Sequence, residues 1–314
     1  MQLARDIDAL PDGQPIVVVV GVFDGLHRGH ERILRTTVAT ARRLEALSVV
    51  VTFDPHPDEV LRGAAPLLLC DPAERVARFA TAGIGLTVLQ RFDRAFATQS
   101  AEVFLARVAS NGPLLGLVMT PESAFGRDRA GTLEQVRHLS SRLGFSVVEV
   151  AAMELGGERV SSSRIRGLLE AGRLADAGRL LGRRYAVIGR VVHGDGRGRA
   201  LGFPTANLSF ARPVTLPQDG IYAVRVSWDG PDPLRPARRA DGTASLGVRP
   251  TFGGGRRLLE VHLLDFDEDL YERHLRVEFV RRQRGERRFA SIDALVRRMR
   301  RDVDRTRRIL EQTA

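Results

Sequence analysis

The chain reads IVVVVGVFDGLHRGH from residue 16 to residue 30. The β-branched run that ends at Gly21 is typical of a buried strand, and the periodicity of residues 31–47 predicts a helix after it. Unpaired N–H groups and the positive end of the helix dipole lie at such a junction, where glycines let an anion approach. His27 and His30 would add donors toward polyphosphate oxygens. Two histidines at this spacing are also common packing or surface residues, and that alternative stays open.

Strand and helix patterns alternate through the rest of the first part of the chain. Further buried strands are predicted at residues 48–53, 87–91, 114–119 and 146–150, with helices in the gaps. This order predicts an α/β fold with a doubly wound parallel sheet. Ligands bind such sheets beyond the carboxyl ends of the strands, and the loop at residues 23–30 leaves one of those ends.

The pattern changes near residue 183 to short alternating strands separated by Gly and Pro turns. The predicted strands are residues 185–192, 221–228, 258–264 and 275–280. They favour a small antiparallel β-barrel, and the helical spacing of residues 292–311 predicts a terminal helix. Residues 229–242 are rich in Gly, Pro and Asp and predict an exposed hairpin loop. We therefore expect two domains, residues 1–182 and 183–314.

Composition and charge narrow the class of protein. The 314 residues are 43% hydrophobic and 27% charged, which is typical of a folded protein with room for two cores. No apolar run approaches the ~20 residues that cross a bilayer, no signal-peptide core is seen, and Cys70 cannot form an internal disulfide, so we expect a cytoplasmic protein. The net charge of +10 raises the alternative of nucleic-acid binding. Aromatic residues are only 6% and do not interleave with the basic clusters, which argues against a stacking platform.

Two further polar segments follow strands of the first part. Residues 52–57 read TFDPHP, and their prolines stiffen the loop that ends the second strand. Asp54 and His56 have metal-binding chemistry, but two ligands are too few for a closed site, which favours the wall of a nucleotide pocket. Residues 161–166 read SSSRIR and open a helix. A serine is a common cap there, whereas two arginines are disfavoured unless an anion binds.

The second part contains a denser group of polar residues. A loop after its first strand contains Gly194, Gly196 and Gly198. Thr205 and Asn207 follow, two apart in an extended segment, so their neutral oxygens face the same way, which suits a magnesium ion shared with ATP phosphates. Both residue types also form turns, and that structural interpretation stays open.

A carboxylate lies on one predicted barrel strand. Period-two alternation in residues 258–264 places three apolar residues on one face and Glu260 and His262 on the other. A carboxylate on a rigid strand can accept a proton from an alcohol, although an exposed glutamate is the more common case on a barrel.

Together these segments resemble the bacterial bifunctional riboflavin kinase/FAD synthetases over nearly the whole chain. The matching motifs are, in order, GVFDGLHRGH at 21–30, SSSRIR at 161–166, GFPTAN at 202–207, GIY at 220–222, GVRPTF at 247–252 and the segment 260–271. Their joint occurrence in this order is highly specific. The resemblance implies a Rossmann-like nucleotidyltransferase domain followed by a riboflavin kinase barrel.

The resemblance also implies two reactions with ATP, Mg²⁺ and flavins. In the kinase domain, Thr205 and Asn207 would hold magnesium and the ATP phosphates, the glycine loop would cover the nucleotide, and Glu260 would take a proton from a ribityl hydroxyl of riboflavin. In the first domain, the phosphate of FMN would attack the α-phosphorus of a second ATP, giving FAD and pyrophosphate. Such transfer needs alignment and charge neutralisation.

The resemblance assigns individual residues to these roles. Those implied in catalysis are Glu260, Asn207, His27, His30 and Arg164. Those implied in nucleotide binding are Gly21, Phe23, Asp24, Gly25, His27, His30, Ser161, Ser162, Ser163, Arg164, Gly194, Gly196, Gly198, Thr205 and Asn207. Those implied in flavin binding are Phe53, Pro55, Glu122 and Phe125.

The chain departs from the family pattern after the fourth strand. The family usually has G-x-D-F-x-F-G there, whereas residues 120–126 read TPESAFG, which is expected to reshape the isoalloxazine pocket. Two hypotheses follow: a bifunctional enzyme, or a riboflavin kinase whose first domain has lost or changed its substrate. A nucleic-acid-binding protein is a third hypothesis, but it leaves the histidine, serine and Pro-Thr-Ala-Asn segments unexplained. We expect small-molecule partners and neither nucleic-acid nor membrane partners.

Overall fold

The computed structural model describes residues 1–64, 66–249 and 256–313. The chain divides into two compact units. The first unit comprises Met1–Leu67 and Arg75–Ser161, and the second comprises Leu68–Glu74 and Ser162–Ala314. The functional division at residue 182 stays a prediction. No helix in the described ranges is both long and apolar enough to cross a membrane.

The first 161 residues contain a large sheet, two small hairpins and the helices around them. The strands are β1 (Gln2–Ala4), β2 (Ile16–Val20), β3 (Leu47–Asp54), β4 (Leu86–Arg91), β5 (Leu114–Met119), β6 (Ala124–Phe125), β7 (Gly131–Thr132), β8 (Ser146–Glu149), β9 (Glu154–Leu155) and β10 (Glu158–Arg159). The helices are α1 (Arg28–Arg43), α2 (Pro57–Arg62), α3 (Pro72–Thr81), α4 (Arg94–Ala97), α5 (Ala101–Val108) and α6 (Leu133–Leu143).

The predicted parallel sheet is confirmed. Its 6 strands run in the order β1-β4-β3-β2-β5-β8, and every neighbouring pair is parallel. Both faces are covered: Val18 packs into one hydrophobic cluster, whereas Val17 and Val19 pack into another. Burial on both faces explains why β2 is a continuous run of β-branched residues. The edge strand β1 was not predicted, because three residues at a chain start carry almost no periodicity.

The helix after β2 begins and ends earlier than predicted. The pattern predicted residues 31–47, whereas α1 spans Arg28–Arg43. Its N-cap is His27, a residue type outside the usual Ser, Thr, Asp and Asn caps, so the start was missed. Its predicted end was wrong because Leu47 already pairs with Ile16 as part of β3.

The second unit contains a closed barrel and flanking helices. From residue 162 onward the elements are α7 (Ser162–Glu170), α8 (Leu174–Leu181), β11 (Ala186–Val192), α9 (Arg197–Ala200), β12 (Ala206–Ser209), β13 (Gly220–Trp228), β14 (Arg238–Arg249), β15 (Arg256–Leu263), β16 (His274–Arg284) and α10 (Ile292–Glu311). The barrel order is β11-β12-β15-β14-β13-β16, and β16 closes it by pairing with β11. The predicted barrel and terminal helix are confirmed, and α10 has the predicted bounds.

Two barrel strands, β12 and β14, were not among the predicted strands. Residues 229–242 were predicted to form a loop, but the segment from Arg238 to Gly242 belongs to β14 and pairs with β13. Alanine, aspartate and glycine are poor strand formers, and the long ladder with β13 and β15 overrides their propensity. Residues 250–252 of the GVRPTF motif lie outside the described residues.

Helix α10 is fixed against the barrel by apolar and polar contacts. Ile309 and Leu310 pack with Ala223. The Gln283 side-chain amide donates to Thr306 Oγ1 at 2.6 Å. Asp302 accepts from Arg284 Nε at 3.1 Å, and both side chains are nearly buried. These contacts hold one side of α10 beside a barrel opening.

Candidate active sites

The loop between β2 and α1 brings the two predicted histidines together. The imidazole rings of His27 and His30 stack, with ring centroids 3.7 Å apart. His27 is only 6% exposed, and its Nδ1 accepts the backbone N–H of His30 at 3.2 Å. This bond leaves the His27 proton on Nε2 and occupies one of the N–H groups expected to receive phosphate. The remaining N–H groups of the first helical turn are the backbone donors expected to receive an anion.

Aromatic packing shapes the same loop. Phe23 has a φ of 54° and is buried edge-on against Phe79, while His30 meets the Phe23 ring at 5.2 Å. A positive φ in a bulky residue is strained, so the surrounding packing must hold it in place. Asp24, which follows, is 5% exposed. The loop is therefore a fixed structure around the start of α1.

The end of the neighbouring strand β3 lies beside this loop. The hydroxyl of Thr52 donates to the carbonyl of Val22 at 3.2 Å. Phe53 is 9% exposed and packs in the core with Phe92 and Phe96, so little of its ring faces solvent. The next peptide bond, Asp54–Pro55, is cis.

His56 has a structural role after β3. It caps α2, and its Nδ1 accepts the backbone N–H of Asp58 at 3.1 Å. In the parts of the chain that the structure describes, no group of three or more His, Cys, Asp or Glu residues is arranged to hold a metal. The interpretation of residues 52–57 as the wall of a nucleotide pocket stays a prediction.

Sequence reasoning missed one residue that joins these two loops. Arg75 on α3 is 7% exposed, and its guanidinium donates to the carbonyls of Val22 and Phe53. An arginine in an amphipathic helix is normally a solvated residue, so only the three-dimensional contacts reveal its position.

The segment that departs from the family pattern forms a compact turn. Thr120 and Ser123 bond to each other through side chain and backbone, with Thr120 N–H donating to Ser123 Oγ at 3.0 Å. Phe125 packs against Phe104, with ring centroids 5.3 Å apart. Glu122 is exposed and forms an ion pair with Arg159 at 3.2 Å. Of the two residues predicted here to bind the flavin, Phe125 is therefore packed against another aromatic ring and Glu122 is exposed.

The predicted serine–arginine segment begins α7. The helix starts at Ser162, with no acidic residue in its first turn. Arg164 is half-buried, and Ser163 is exposed. The boundary between the two units falls within this segment, between Ser161 and Ser162. The role of the segment in nucleotide binding stays a prediction.

The second unit contains a cavity of about 470 Å³. Its walls come from the glycine loop before α9, from β12 to β15, from residues after β16 and from α10. The predicted residues Gly194, Gly196, Gly198, Thr205, Asn207 and Glu260 all line it.

Strand register explains how the polar groups meet in the cavity. Asn207 on β12 pairs directly with Glu260 on β15, and Ser245 on β14 pairs with Glu260 from the other side. Directly paired residues of antiparallel strands project from the same face with Cβ atoms about 4.5–5.5 Å apart. The predicted alternation of β15 is confirmed, because Leu259 and Val261 are fully buried in the barrel core.

The glycine loop closes tightly over Asn207. A Cβ added at Gly194 would lie 2.3 Å from Asn207 Nδ2, so only glycine allows this approach. Next to it, His193 stacks on Tyr271, with ring centroids 3.8 Å apart. His262 is held by its Nδ1, which lies 2.8 Å from the carbonyl of Pro204.

A second carboxylate, not predicted from the sequence, also lines the cavity. Glu286 follows β16, and its carboxylate lies against the backbone of Gly247, where an added Cβ would fall 2.0 Å from Oε1. Partial burial raises the pKa of the Glu286 carboxyl, the charges of Asp219 and Glu260 raise it further, and Arg284 lowers it. Apolar walls of the cavity come from Phe289, after β16, and from Leu295 and Met299 on α10.

Both halves of the chain match known families. Residues 181–310 match the riboflavin kinase family, and residues 10–164 match the FAD synthetase family. A bifunctional riboflavin kinase/FMN adenylyltransferase of Escherichia coli (strain K12) is 37% identical over 306 residues, 96% of each chain. This chain belongs to the bifunctional riboflavin kinase/FMN adenylyltransferase family. The resemblance inferred from the motifs is confirmed.

Other proteins extend the likeness over the full length. A family member from Pseudomonas fluorescens is 37% identical over 319 residues, covering 100% of this chain and 99% of its own. A crystal structure described as a macrolide-efflux protein from Streptococcus pneumoniae is 31% identical, with a TM-score of 0.84. The matched region covers 97% of this chain and 98% of the chain in that crystal structure. The efflux role in that description is said of the Streptococcus pneumoniae protein alone. The structural likeness between the two chains supports the fold described above.

Proposed function

We propose that this chain phosphorylates riboflavin to FMN in the barrel cavity and adenylylates FMN to FAD at the mouth of the parallel sheet. The chain carries both domains of its family, a riboflavin kinase and an FMN adenylyltransferase, and is a transferase that uses ATP. Family membership favours the bifunctional enzyme over the hypothesis of a kinase with an altered first domain. The observation that carries the kinase assignment is the pairing of Asn207 with Glu260 inside a cavity closed by a glycine loop.

The kinase step needs a base, a phosphate site and an aligned alcohol. Glu260 is the group that accepts the proton of the attacking ribityl hydroxyl, because it lies on a rigid strand and lines the cavity. The hydroxyl oxygen then attacks the γ-phosphorus, the bond to the β-phosphate oxygen breaks, and ADP leaves. Alignment of these groups on paired strands supplies much of the acceleration, because little covalent chemistry is required of the protein.

The donor set around Asn207 fits magnesium only together with ATP. Thr205 and Asn207 offer neutral oxygens, and Mg²⁺ usually takes one or two protein ligands and completes its shell with water and substrate phosphates. The described residues contain no cluster of acidic or imidazole ligands that would hold a metal alone. Bound there, the ion would neutralise charge on the β- and γ-phosphates. Thr205 and Asn207 would fix its place against Glu260.

The cavity has apolar walls that suit the flavin ring. The isoalloxazine ring is large, flat and mostly apolar, which matches the apolar walls at Phe289, Leu295 and Met299. With the ring against these walls, the ribityl chain would extend toward Glu260, which also lines the cavity. Glu286, which also lines the cavity, is an additional hydrogen-bonding group for the flavin.

The adenylylation step is assigned to the first unit. The stacked His27 and His30 and the start of α1 would bind the phosphates of ATP, while the phosphate oxygen of FMN attacks the α-phosphorus and pyrophosphate leaves. His27 Nε2 carries the proton that can be donated to a phosphate oxygen, because Nδ1 is occupied. Roles for Ser162 and Arg164 in this step stay predictions from the family motif.

Product analysis tests both steps. Purified protein is incubated with ATP and Mg²⁺ plus either riboflavin or FMN, and the flavins are separated by chromatography. The proposal expects FAD from both starting flavins. FMN that accumulates without FAD, even when FMN is supplied, would support the altered-first-domain hypothesis.

A variant separates the two sites. Asn207→Ala is expected to abolish FMN formation from riboflavin and to leave the conversion of supplied FMN to FAD intact. Loss of both activities in a folded Asn207→Ala protein would contradict the assignment of the two reactions to different sites.

Small-molecule substrates account for the partners that the family implies. The basic net charge of +10 is compatible with anionic nucleotide substrates, and we infer no nucleic-acid or membrane partner. A cytoplasmic location is part of the same proposal, because the chain has a single cysteine and needs cellular ATP.

A further inference from the structure

A buried arginine connects the ends of two neighbouring strands in the first unit. Arg75 lies on α3 and is 7% exposed. Its Nη1 donates to the carbonyl of Val22 at 2.9 Å, and its Nη2 donates to the carbonyl of Phe53 at 3.2 Å. Val22 follows β2 and Phe53 is near the end of β3, and these strands pair in parallel. One guanidinium therefore bridges two loops that leave the same edge of the sheet.

Burying a guanidinium costs free energy, which indicates that the Arg75 bridge has a functional role. Arginine is rarely buried, and its charge is expensive to remove from water. The carbonyl of Val22 receives a second donor from Thr52 Oγ1 at 3.2 Å, so both of its acceptor positions are used. A planar fork with fixed donor directions restrains the two carbonyls relative to each other in a way that one point donor cannot.

The residues that follow each carbonyl are the ones assigned to substrates. Val22 precedes Phe23, which has the strained φ of 54° and leads to the histidine pair. On the other strand, Phe53 itself and Pro55 are residues that the family resemblance implies in flavin binding, and together they are termed the flavin wall. A shift of either carbonyl therefore moves one substrate site relative to the other.

We infer that Arg75 is a positioning residue for nucleotidyl transfer, which fixes the distance between the nucleotide loop and the flavin wall without touching either substrate. This inference rests on the proposed adenylylation of FMN. It predicts an effect on the rate of the transfer step and little effect on the binding of each substrate, since each loop keeps its own contacts.

The test compares Arg75→Lys and Arg75→Met with the control Arg142→Met. Lysine keeps the charge but offers a single ammonium to two carbonyls, and methionine keeps only the apolar stem. Arg142 is an exposed arginine of α6 that pairs with Glu102 at 2.9 Å, so its loss changes an arginine without touching the site. Riboflavin phosphorylation by the same full-length molecules reports whether each variant is folded and correctly quantified.

We expect the kcat for FAD formation from FMN to fall by ~10²-fold in Arg75→Met, the loss that follows a misplacement of about 1 Å. Arg75→Lys is expected to recover part of this loss, and the KM values for FMN and ATP are expected to stay within about threefold, because uniform binding is retained. Arg142→Met is expected to match the parent protein in both activities.

Three outcomes would overturn the inference. An unchanged kcat in Arg75→Met shows that the bridge does not position the reaction. A raised KM for ATP at unchanged kcat shows direct binding of the nucleotide. An equal loss of riboflavin phosphorylation and adenylylation shows general unfolding. If the parent protein itself makes no FAD from FMN, the proposed function fails and the inference falls with it.

Discussion

Adding one methyl group at Gly194 should disable the kinase site. The new Cβ would lie 2.3 Å from Nδ2, 2.6 Å from Cγ and 2.8 Å from Oδ1 of Asn207, whereas ordinary contacts begin at 3.4 Å. Either the carboxamide or the glycine loop must therefore move by about 1 Å. A misplacement of that size costs ~10²-fold in rate, or about 2.7 kcal/mol of transition-state stabilisation. Gly194→Ala is thus expected to lower the kcat for FMN formation by ~10²-fold.

The assay is FMN formation from riboflavin at saturating ATP, with FAD formation from supplied FMN measured on the same protein. The second activity should be unchanged, because Gly194 lies in the barrel unit. Gly167→Ala is the matched control, since in the described ranges no heavy atom outside its chain neighbours and its own helix backbone lies within 4 Å of the added Cβ, and it should phosphorylate riboflavin normally. A Gly194→Ala protein with parental kcat would refute the reasoning, because it would show that the contact with Asn207 does not shape the site.

Three other substitutions test separate parts of the barrel. Glu260→Gln removes the proposed base and should lower the kcat of riboflavin phosphorylation by ~10²–10⁴-fold with little change in KM; a rate near the parental one would contradict the assignment. Asp302→Ala leaves nearly buried Arg284 without its carboxylate and should lower the free energy of unfolding by about 3–5 kcal/mol, measured by urea denaturation. Burial raises the pKa of Tyr222 from 10.0 to about 12, so the folded state keeps this proton and loses stability as pH rises through that interval. The near-ultraviolet titration curves of the parent and Tyr222→Phe should therefore differ by one tyrosine with a midpoint of about 12.

The predictable parts of the fold are those in which local pattern and tertiary packing agree. Residues 16–20 are buried on both faces, so the continuous β-branched run identified β2 and its parallel neighbours without ambiguity. The terminal helix was predicted with correct bounds because its buried residues repeat at helical spacing and Ser291 caps its start. In contrast, the segment at Arg238–Gly242 has poor strand propensity, and only its pairing with β13 makes it a strand.

The same distinction applies to the candidate sites. Asn207 and Glu260 could be assigned from sequence because both lie in family motifs, and the alternation of β15 already placed Glu260 away from the core. Arg75 and Glu286 could not, because each acts through contacts with residues far away in sequence. Arg75 reaches Val22 and Phe53 across the sheet edge, and no spacing along α3 encodes those carbonyls. Residues of this kind become visible only when burial and hydrogen-bond partners are known.

The altered segment at residues 120–126 shows why a changed motif need not abolish a site. Its turn is closed by bonds that the substituted residues themselves supply, since the Thr120 backbone N–H and hydroxyl both meet Ser123 Oγ at 3.0 Å. The family's final Phe-Gly pair is retained, and Phe125 still packs on Phe104 in the core of the unit. The residues that depart from the family pattern therefore close the turn themselves. Since the flavin role of this segment is a prediction from the family motif, we expect the loss of the usual aromatic at Ser123 to weaken flavin binding more than it slows the transfer step, because the motif residues at the start of α1 are unchanged.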